Sequence, residues 1–447
     1  MHSKPCRFQL AAIPPLICLT LGGCAATQME SDADAYRTKP NILLIMADDI
    51  GVEAFGCYGG MSYQTPVIDA LAETGVRFAH CYSQPLCTPS RVKIMTGQSN
   101  IRNYTHFGIL DPKETTFADV LKDAGYATAV AGKWQLYGTE AYGDLAGKGT
   151  HPTDAGFAEY CLWQIDQRGS RYWDPLIEQN GEMVEAGPGR YGPDVFCDFI
   201  CDFMDRNRDR PFFVYYPMAL VHNPFVPTPL SEDRTSKNRS QNFADMVMYM
   251  DRCIGRLTSH LDALGLRQNT LILITGDNGT NRNITSETTA GPITGGKGRT
   301  TDAGMHVPLV VSWPGRAAPG MICDDPIDFS DFLPTLAEAA SVDEEALPQP
   351  LDGRSFLSQI LGAPGNPRAW IFCDYNPKWG KHQPARFARD KRWKLYSDGR
   401  LFDLASDPGE EFPITENVDD PDASNARERL LKALEEFEIN PAVEARR

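Results

Sequence analysis

The strongest constraint on the fold is a set of short, unbroken apolar runs that each stop at a polar residue. "NILLIMADD", from Asn41, is the first, and "RPFFVYYPM" and "NTLILITGD" are two more. A run of this length without alternation fits a strand buried on both faces, as in a parallel sheet covered by helices. "VRFAHCYS" and "YATAVAG" read as further strands. Helix signals fall between them. Thr65 reads as a cap, Pro66 takes the first helical position and Gly75 ends that helix. "TTFADVLKDAG" reads as a capped helix closed by Gly125. Strands alternating with helices predict an α/β fold with a doubly wound, mostly parallel sheet. After about residue 365 the pattern changes. "RWKLYSDGRLFDL" reads as a hairpin turning at Ser397-Asp398-Gly399, and "NARERLLKALEEFE" as a charged helix. The expected organisation is a large domain over 39–365 and a smaller α+β C-terminal subdomain over 366–447.

The chain has 447 residues, enough for a large core or two unequal lobes. Its formal charge is −16, and no Lys/Arg cluster interrupts that excess, which argues against nucleic acid as a partner. Residues 1–24 read as a signal peptide. Lys4 and Arg7 precede an apolar stretch, Leu10 to Leu21, that is too short to span a bilayer. "LGGC", Leu21 to Cys24, resembles a bacterial lipobox, with Cys24 as the lipid-bearing residue. Simple cleavage a few residues later is the alternative. Residues 25–38 are a polar tether. The protein is thus expected to be exported, in the periplasm or held at the outer membrane or cell surface through Cys24. The 12 cysteines show no zinc-like spacing. Cys197 and Cys201 share one face of a helix, which suits burial and leaves a disulfide or a metal open.

In open α/β sheets, ligands sit beyond the carboxyl ends of the strands. Asp48 and Asp49 follow the first apolar run, Lys133 ends "YATAVAGK", His222 follows "FFVYYPMALV", and Asp277 and Asn278 follow "LILITG". Any one of them alone is more often a loop residue. Together they place a charged rim on one edge of the sheet. Asp48, Asp49, Asp277 and Asn278 form an oxygen-only set, suited to one hard cation, Ca²⁺ or Mg²⁺. Cys87 opens "CTPSRVKIMTG". Thr88 and Pro89 suit a helix start and Gly97 its end, so Cys87 stands at a helix N-terminus, where an anion is favoured. A thiolate is a poor partner for a hard cation. An oxygen nucleophile fits better.

Cys87-Thr88-Pro89-Ser90-Arg91 resembles the C-x-P-S-R signature of the type I, formylglycine-dependent sulfatases, a family of the alkaline phosphatase-like superfamily. "PNILLIMADDIG", "AGKW", "VHNPF", "GDNG", "GGKG" and "WKLY…LFDL…DP" agree with that family in order and rough spacing. The resemblance implies that residues 39–365 are the catalytic domain. It implies that Cys87 is oxidised to formylglycine by a formylglycine-generating enzyme and then attacks sulfur through its hydrate. Arg91 would steady the nucleophile. Lys133 and Lys297 would hold sulfate oxygens, and His222 would bind sulfate and help to protonate the leaving alcohol. Asp48, Asp49, Asp277 and Asn278 would bind one metal ion, Ca²⁺ ahead of Mg²⁺. The expected substrate is a sulfate ester, with a sulfated carbohydrate foremost.

Two positions depart from the family pattern. Gln135 stands where histidine is usual; it can hydrogen-bond formylglycine or sulfate but cannot shuttle a proton. Asp302 stands where glutamate is more common. Trp163, Arg168, Arg171 and Trp173, in "LWQIDQRGSRYWDP", suit either a sugar cleft or ordinary packing. Two rivals follow from the same residues. One is a phosphoester or phosphonate hydrolase of the same superfamily, against which Asp277-Asn278 argues. The other is a sulfated-glycan-binding protein whose catalysis has lapsed, which Gln135 alone favours.

Overall fold

The computed structural model describes residues 1–2, 39–184, 187–415 and 420–438. The signal from residue 3 on, the lipid site at Cys24 and the tether fall on residues outside these.

The apolar runs are strands. In chain order they are β1 (Asn41–Ala47), β2 (Val76–Tyr82), β3 (Ala127–Lys133), β4 (Glu159–Trp163), β5 (Glu178–Gln179), β6 (Glu182–Met183), β7 (Phe212–Pro217), β8 (Thr270–Gly276), a small hairpin of β9 (Thr285–Ser286) and β10 (Ile293–Thr294), then β11 (His306–Ser312) and β12 (Met321–Asp328). Except for the hairpin they form one sheet in the order β12-β2-β11-β8-β1-β7-β3-β4-β5-β6. The core strands β8, β1, β7, β3 and β4 pair in parallel, and β11 and β5 run against their neighbours.

All seven residues of β1 are buried. Side chains alternate across a strand. Leu43, Ile45 and Ala47 enter one core with the helices Gly192–Arg206 and Arg239–Ala263, while Ile42, Leu44 and Met46 enter the other with Cys87–Thr96 and Phe332–Ala339. Two filled cores explain why the run needs no polar face. Gly132 belongs to the close packing of β3 on β7: its φ is 124°, and a Cβ there would stand 2.0 Å from Pro217 O.

The Phe117–Asp123 helix starts as read, with a capping box between Thr116 and Asp119. The Pro66–Thr74 helix does not. Thr65 occupies the N-cap position without capping; its hydroxyl donates to Asp69 and accepts from Gly56 N. The free N–H groups of Val67 and Ile68 instead donate to Asp251 on the long helix Arg239–Ala263, at 3.1 and 2.9 Å.

From Pro40 onward the described chain is a single unit. Its last part carries a four-stranded antiparallel sheet, β13 (Ile371–Tyr375), β14 (Ala385–Arg389), β15 (Trp393–Tyr396) and β16 (Leu401–Asp403). The β15–β16 hairpin turns at Gly399, as the sequence suggests. One face of this sheet (Phe372, Ala388, Leu395) buries the Pro421–Glu438 helix. The other (Ile371, Cys373, Tyr375, Phe387) packs on Leu86, Cys87 and Phe107. The small sheet therefore helps to seat Cys87. Cys197 and Cys201 are buried free thiols on one helix, and the nine described cysteines are all unbridged.

Candidate active site

Parallel strands end at the same edge, so the residues after them meet. The chain beyond β7 stays paired with the chain beyond β1: Met218 N donates to Met46 O, Asp48 N to Leu220 O and Val221 N to Asp48 O, at 2.7–2.9 Å. That pairing carries His222 to Asp49, with Nε2 3.6 Å from Oδ2. Asp277 N donates to Ala47 O on the other side. Asp49 N then donates to Asp277 Oδ1 at 3.0 Å. The six residues from four strand ends do share one site.

Cys87 opens the Cys87–Thr96 helix, and Gly97, in the left-handed region at φ 67°, closes it. Ser90 holds the entry to this helix through bonds with Gln84 and Leu86. Arg91, four residues beyond Cys87, is 1% exposed. Its guanidinium reaches Asp277 Oδ2 at 2.9 Å and Lys133 O at 3.1 Å. Lys133 Nζ holds both oxygens of Asp48, at 3.0 and 2.9 Å. Lys297 Nζ lies 2.6 Å from Asp49 Oδ1. Its loop is tied to both sides of the site: Lys297 N donates to Thr280 O, and Gly298 N to Pro85 O.

Three fully buried carboxylates thus meet two ammonium groups and one guanidinium. Burial alone would push every carboxyl pKa up. For Asp48, the cations Lys133, Arg91 and Lys297 and the nearby His222 outweigh burial, and its pKa is lowered. Asp49 is lowered too, by His222 and Lys297 against burial. Asp277 goes the other way. Burial and the neighbouring Asp48 raise it to about 7, and Arg91 offsets only part of this. Burial lowers His222 to about 4, in spite of Asp49. Lys297 is raised: Asp49 overcomes the burial penalty.

The set suits a hard cation on two grounds. Asp277 is held against a second carboxylate, a cost that a divalent ion would remove. Asn278 donates through Nδ2 to Asp49 Oδ1 and Gly279 O, while its buried Oδ1 has no partner among the described residues. That orphan oxygen belongs to the same cluster as the carboxylates. The ligating atoms of Asp48, Asp49 and His222 also lie within 4.8 Å of one another.

Over Cys87 opens a pocket of about 240 Å³. Lys133, Lys297, His222 and Gln135 line it, so Cys87 and the residues expected to handle sulfate share one space. Asp49 and Gln135 both have φ of 62°, a strained region for residues other than glycine and a common mark of functional positions. Gln135 Oε1 is buried without a partner among the described residues. Asp302 pairs instead with Arg389 at the small sheet.

Of the four residues around Trp163, two reach the pocket. Arg168 and Arg171 line it. Trp163 is buried beneath Arg171, whose guanidinium lies 4.0 Å from the ring centre. Arg171 Nη1 is also 2.9 Å from His222 Nδ1. Trp173 packs on Tyr191 and under Arg234. Sequence reading missed Phe107, Tyr142, Gln164, Trp379 and His382, which with Leu86 complete the wall. Trp379 is 42% exposed and stacks on Phe107 at 4.9 Å. A tryptophan in the Pro/Gly-flanked stretch "NPKWGKHQP" was the signal the sequence offered.

The mixed, mostly parallel sheet with a charged carboxyl edge and a cysteine-led helix is the frame into which the comparisons with known proteins fit, and they place the chain in the alkaline phosphatase-like superfamily. Within it, residues 40–342 match the sulfatase family, and residues 297–440 match the N-sulphoglucosamine sulphohydrolase C-terminal family. The chain belongs to the sulfatase family and is a sulfuric ester hydrolase. Arylsulfatase A of Homo sapiens is 30% identical, over 91% of this chain and 88% of its own. An N-acetylgalactosamine-6-O-sulfatase of Bacteroides thetaiotaomicron is 26% identical, over 95% and 98%. Among solved structures, a complex with D-glucosamine-2-N,6-O-disulfate superposes with a TM-score of 0.73 at 21% identity, covering 91% of this chain and all of that one. A phosphonate monoester hydrolase of Agrobacterium radiobacter shares the fold with a TM-score of 0.65 at 18% identity, over 89% and 95%. Among the described residues no helix is long and apolar enough to cross a membrane.

Proposed function

We propose that this sulfatase releases sulfate from an anionic carbohydrate, through formylglycine made from Cys87 and one Ca²⁺ held by Asp48, Asp49, Asp277 and Asn278. The observation that carries the reading is the placement of Cys87. It stands at a helix start in a pocket shared with Lys133, Lys297 and His222, beside a buried carboxylate cluster with an unpartnered amide oxygen. When bound, the cation would withdraw charge from the sulfuryl oxygens. Formylglycine, as its hydrate, would supply the attacking hydroxyl.

The chain's own residues do the rest. Lys133 and Lys297 hold sulfate oxygens and offset the charge that grows on them. Both are already fixed by carboxylates, so little reorganisation is needed. Arg91 is locked by Asp277, and its buried Nε has no partner among the described residues. That leaves a donor for the group that Cys87 becomes. His222 is placed to bind sulfate and pass a proton to the leaving alcohol; burial lowers its pKa and keeps the resting imidazole neutral, so the proton would be taken up with the anionic substrate. Gln135 offers Oε1 to a hydroxyl at the nucleophile or the sulfated carbon. The carbohydrate assignment draws on the galactosamine and glucosamine sulfates named for the relatives. Arg168 and Arg171 add cationic charge to the pocket, which favours a sugar with a second anionic group. The charged and apolar segments of residues 1–24 support export.

The test is turnover of a sulfated sugar, an aryl sulfate, a phosphate monoester and a phosphonate ester by one preparation. Sulfate release alone, lost on chelation and restored by Ca²⁺, is the expected result. A preference for phosphorus esters would install the rival hydrolase. Glycan retention without any release, with an intact thiol at Cys87, would install the lapsed binding protein.

A further inference from the structure

Lys297 lies in the glycine-rich stretch "TGGKGRT", between Gly296 and Gly298. Gly298 has a φ of 80°, and glycine backbone is permissive, so the stretch does not hold Lys297 in place by itself. On the side of the large sheet three bonds help. Lys297 N donates to Thr280 O, Gly298 N to Pro85 O and Arg282 Nε to Lys297 O, at 2.6–3.0 Å. The other end of the stretch is held by the small sheet. Lys394, on β15, donates through Nζ to Thr300 O. Tyr396, on the same strand, places Oη 2.7 Å from the Thr300 hydroxyl. Arg389, on β14, pairs with Asp302 two residues further on.

One carboxylate organises this contact. Glu410 Oε1 accepts from Lys394 Nζ at 2.7 Å, and its Oε2 accepts from Tyr396 Oη at 2.5 Å. A carboxylate can only accept, and Tyr396 gives it the one proton it has. The Thr300 hydroxyl therefore donates to Tyr396 Oη, while the Thr300 carbonyl accepts from Lys394. The side chains of Lys394 and Glu410 are 1% and 5% exposed, so each charge depends on the other. The backbone of Glu410 is in the left-handed region, at φ 57°, a strained state that these bonds hold. Lys394, Tyr396 and Glu410 belong to the stretches "WKLY" and "DPGE". None of the three lines the pocket over Cys87.

We propose that Glu410 is a positioning residue for the reaction: through Lys394 and Tyr396 it fixes Thr300, and with it the place at which Lys297 meets the sulfate group. The proposal rests on the role given to Lys297 above. The small sheet then serves the site twice, by packing on Cys87 and by clamping the lysine loop. A misplacement of about 1 Å in a group that meets developing charge costs up to about 10²-fold in rate, so a bond three residues from Lys297 is close enough to matter.

The experiment measures kcat and KM on an aryl sulfate for Tyr396→Phe and Glu410→Gln, each alone and combined with Lys297→Met. Amide hydrogen exchange over residues 295–301 is read on the same proteins. Tyr396→Phe keeps the ring and the Lys394–Glu410 pair, so it carries the test where Glu410→Gln does not fold. The expected result for each single variant is a fall in kcat/KM of about tenfold, chiefly through kcat, with faster exchange over 295–301. In the Lys297→Met background the further fall should be less than about twofold, because the clamp acts through Lys297. An equal fall in both backgrounds would show general damage to the fold and overturn the proposal. Full activity in Tyr396→Phe, or unchanged exchange, would overturn it as well, and so would a Lys297→Met variant as active as the wild type. Wild type that releases no sulfate would strike the sulfatase reading itself, and this proposal with it.

Discussion

Gln135 holds a left-handed backbone conformation at the pocket, in the position where the family pattern has histidine. Histidine tolerates that region better than most residues, so Gln135→His can be made without new strain. If proton transfer limits turnover, the change should raise kcat on an aryl sulfate by about tenfold; stopped-flow and steady-state assays read it directly, and an unchanged kcat would show that Gln135 carries no cost. Lys297→Met keeps the length of the side chain and removes the charge beside Asp49. It should lower kcat by about 10²–10³-fold with the fold intact by circular dichroism. At this scale the residues that meet at the site were legible. Asp48, Asp49, Lys133, His222, Asp277 and Asn278 could be picked out because each ends or follows a buried strand, and strand ends converge. Arg171 on His222 was not legible as a contact. It comes from an irregular loop whose direction no periodicity sets.

Helix ends show where local reading fails. Thr65-Pro66 has the composition of a helix start, yet the donors of Val67 and Ile68 are met by Asp251, 183–184 residues away. Thr65 is drawn to Asp69 and Gly56 because the chain before the helix folds back on its first turn. Asp251→Ala should therefore cost about 1–2 kcal/mol in denaturant unfolding, the usual price of a lost cap. By contrast, the Thr116 capping box was readable, since both of its partners lie within four residues. The strands were readable for the same reason as the site. Apolar runs with no polar face leave only a two-sided burial, and the two cores on either side of β1 provide it. The small sheet was visible as a hairpin, but its packing against Leu86 and Cys87 was not, because that contact is between elements some 290 residues apart.

Over the whole molecule, pH acts through buried groups outside the site. His306 Nε2 bonds Ala79 O, and its ring packs against those of Tyr82 and His80, which also pack on each other. Burial lowers its pKa to about 4, with Arg389 and His80 also opposing its charge and Asp302 favouring it. The unfolded chain takes up this proton near pH 6.5 and the folded chain only near 4. Stability from this group is thus complete above pH 6.5 and declines as the pH falls toward 4, by about 3 kcal/mol at most. Thermal unfolding between pH 4 and 8 should show that slope, and His306→Gln should flatten it. The overall reading, a formylglycine-dependent sulfatase, rests on one covalent change, and the most direct measurement is the mass of its peptide. Trypsin should release Phe78–Arg91, which contains Cys87, from protein made in a host with the modifying enzyme. A mass lower by the difference between a thiol and an aldehyde side chain is the predicted result. An intact Cys87 thiol in folded, Ca²⁺-loaded protein that still releases sulfate would contradict it.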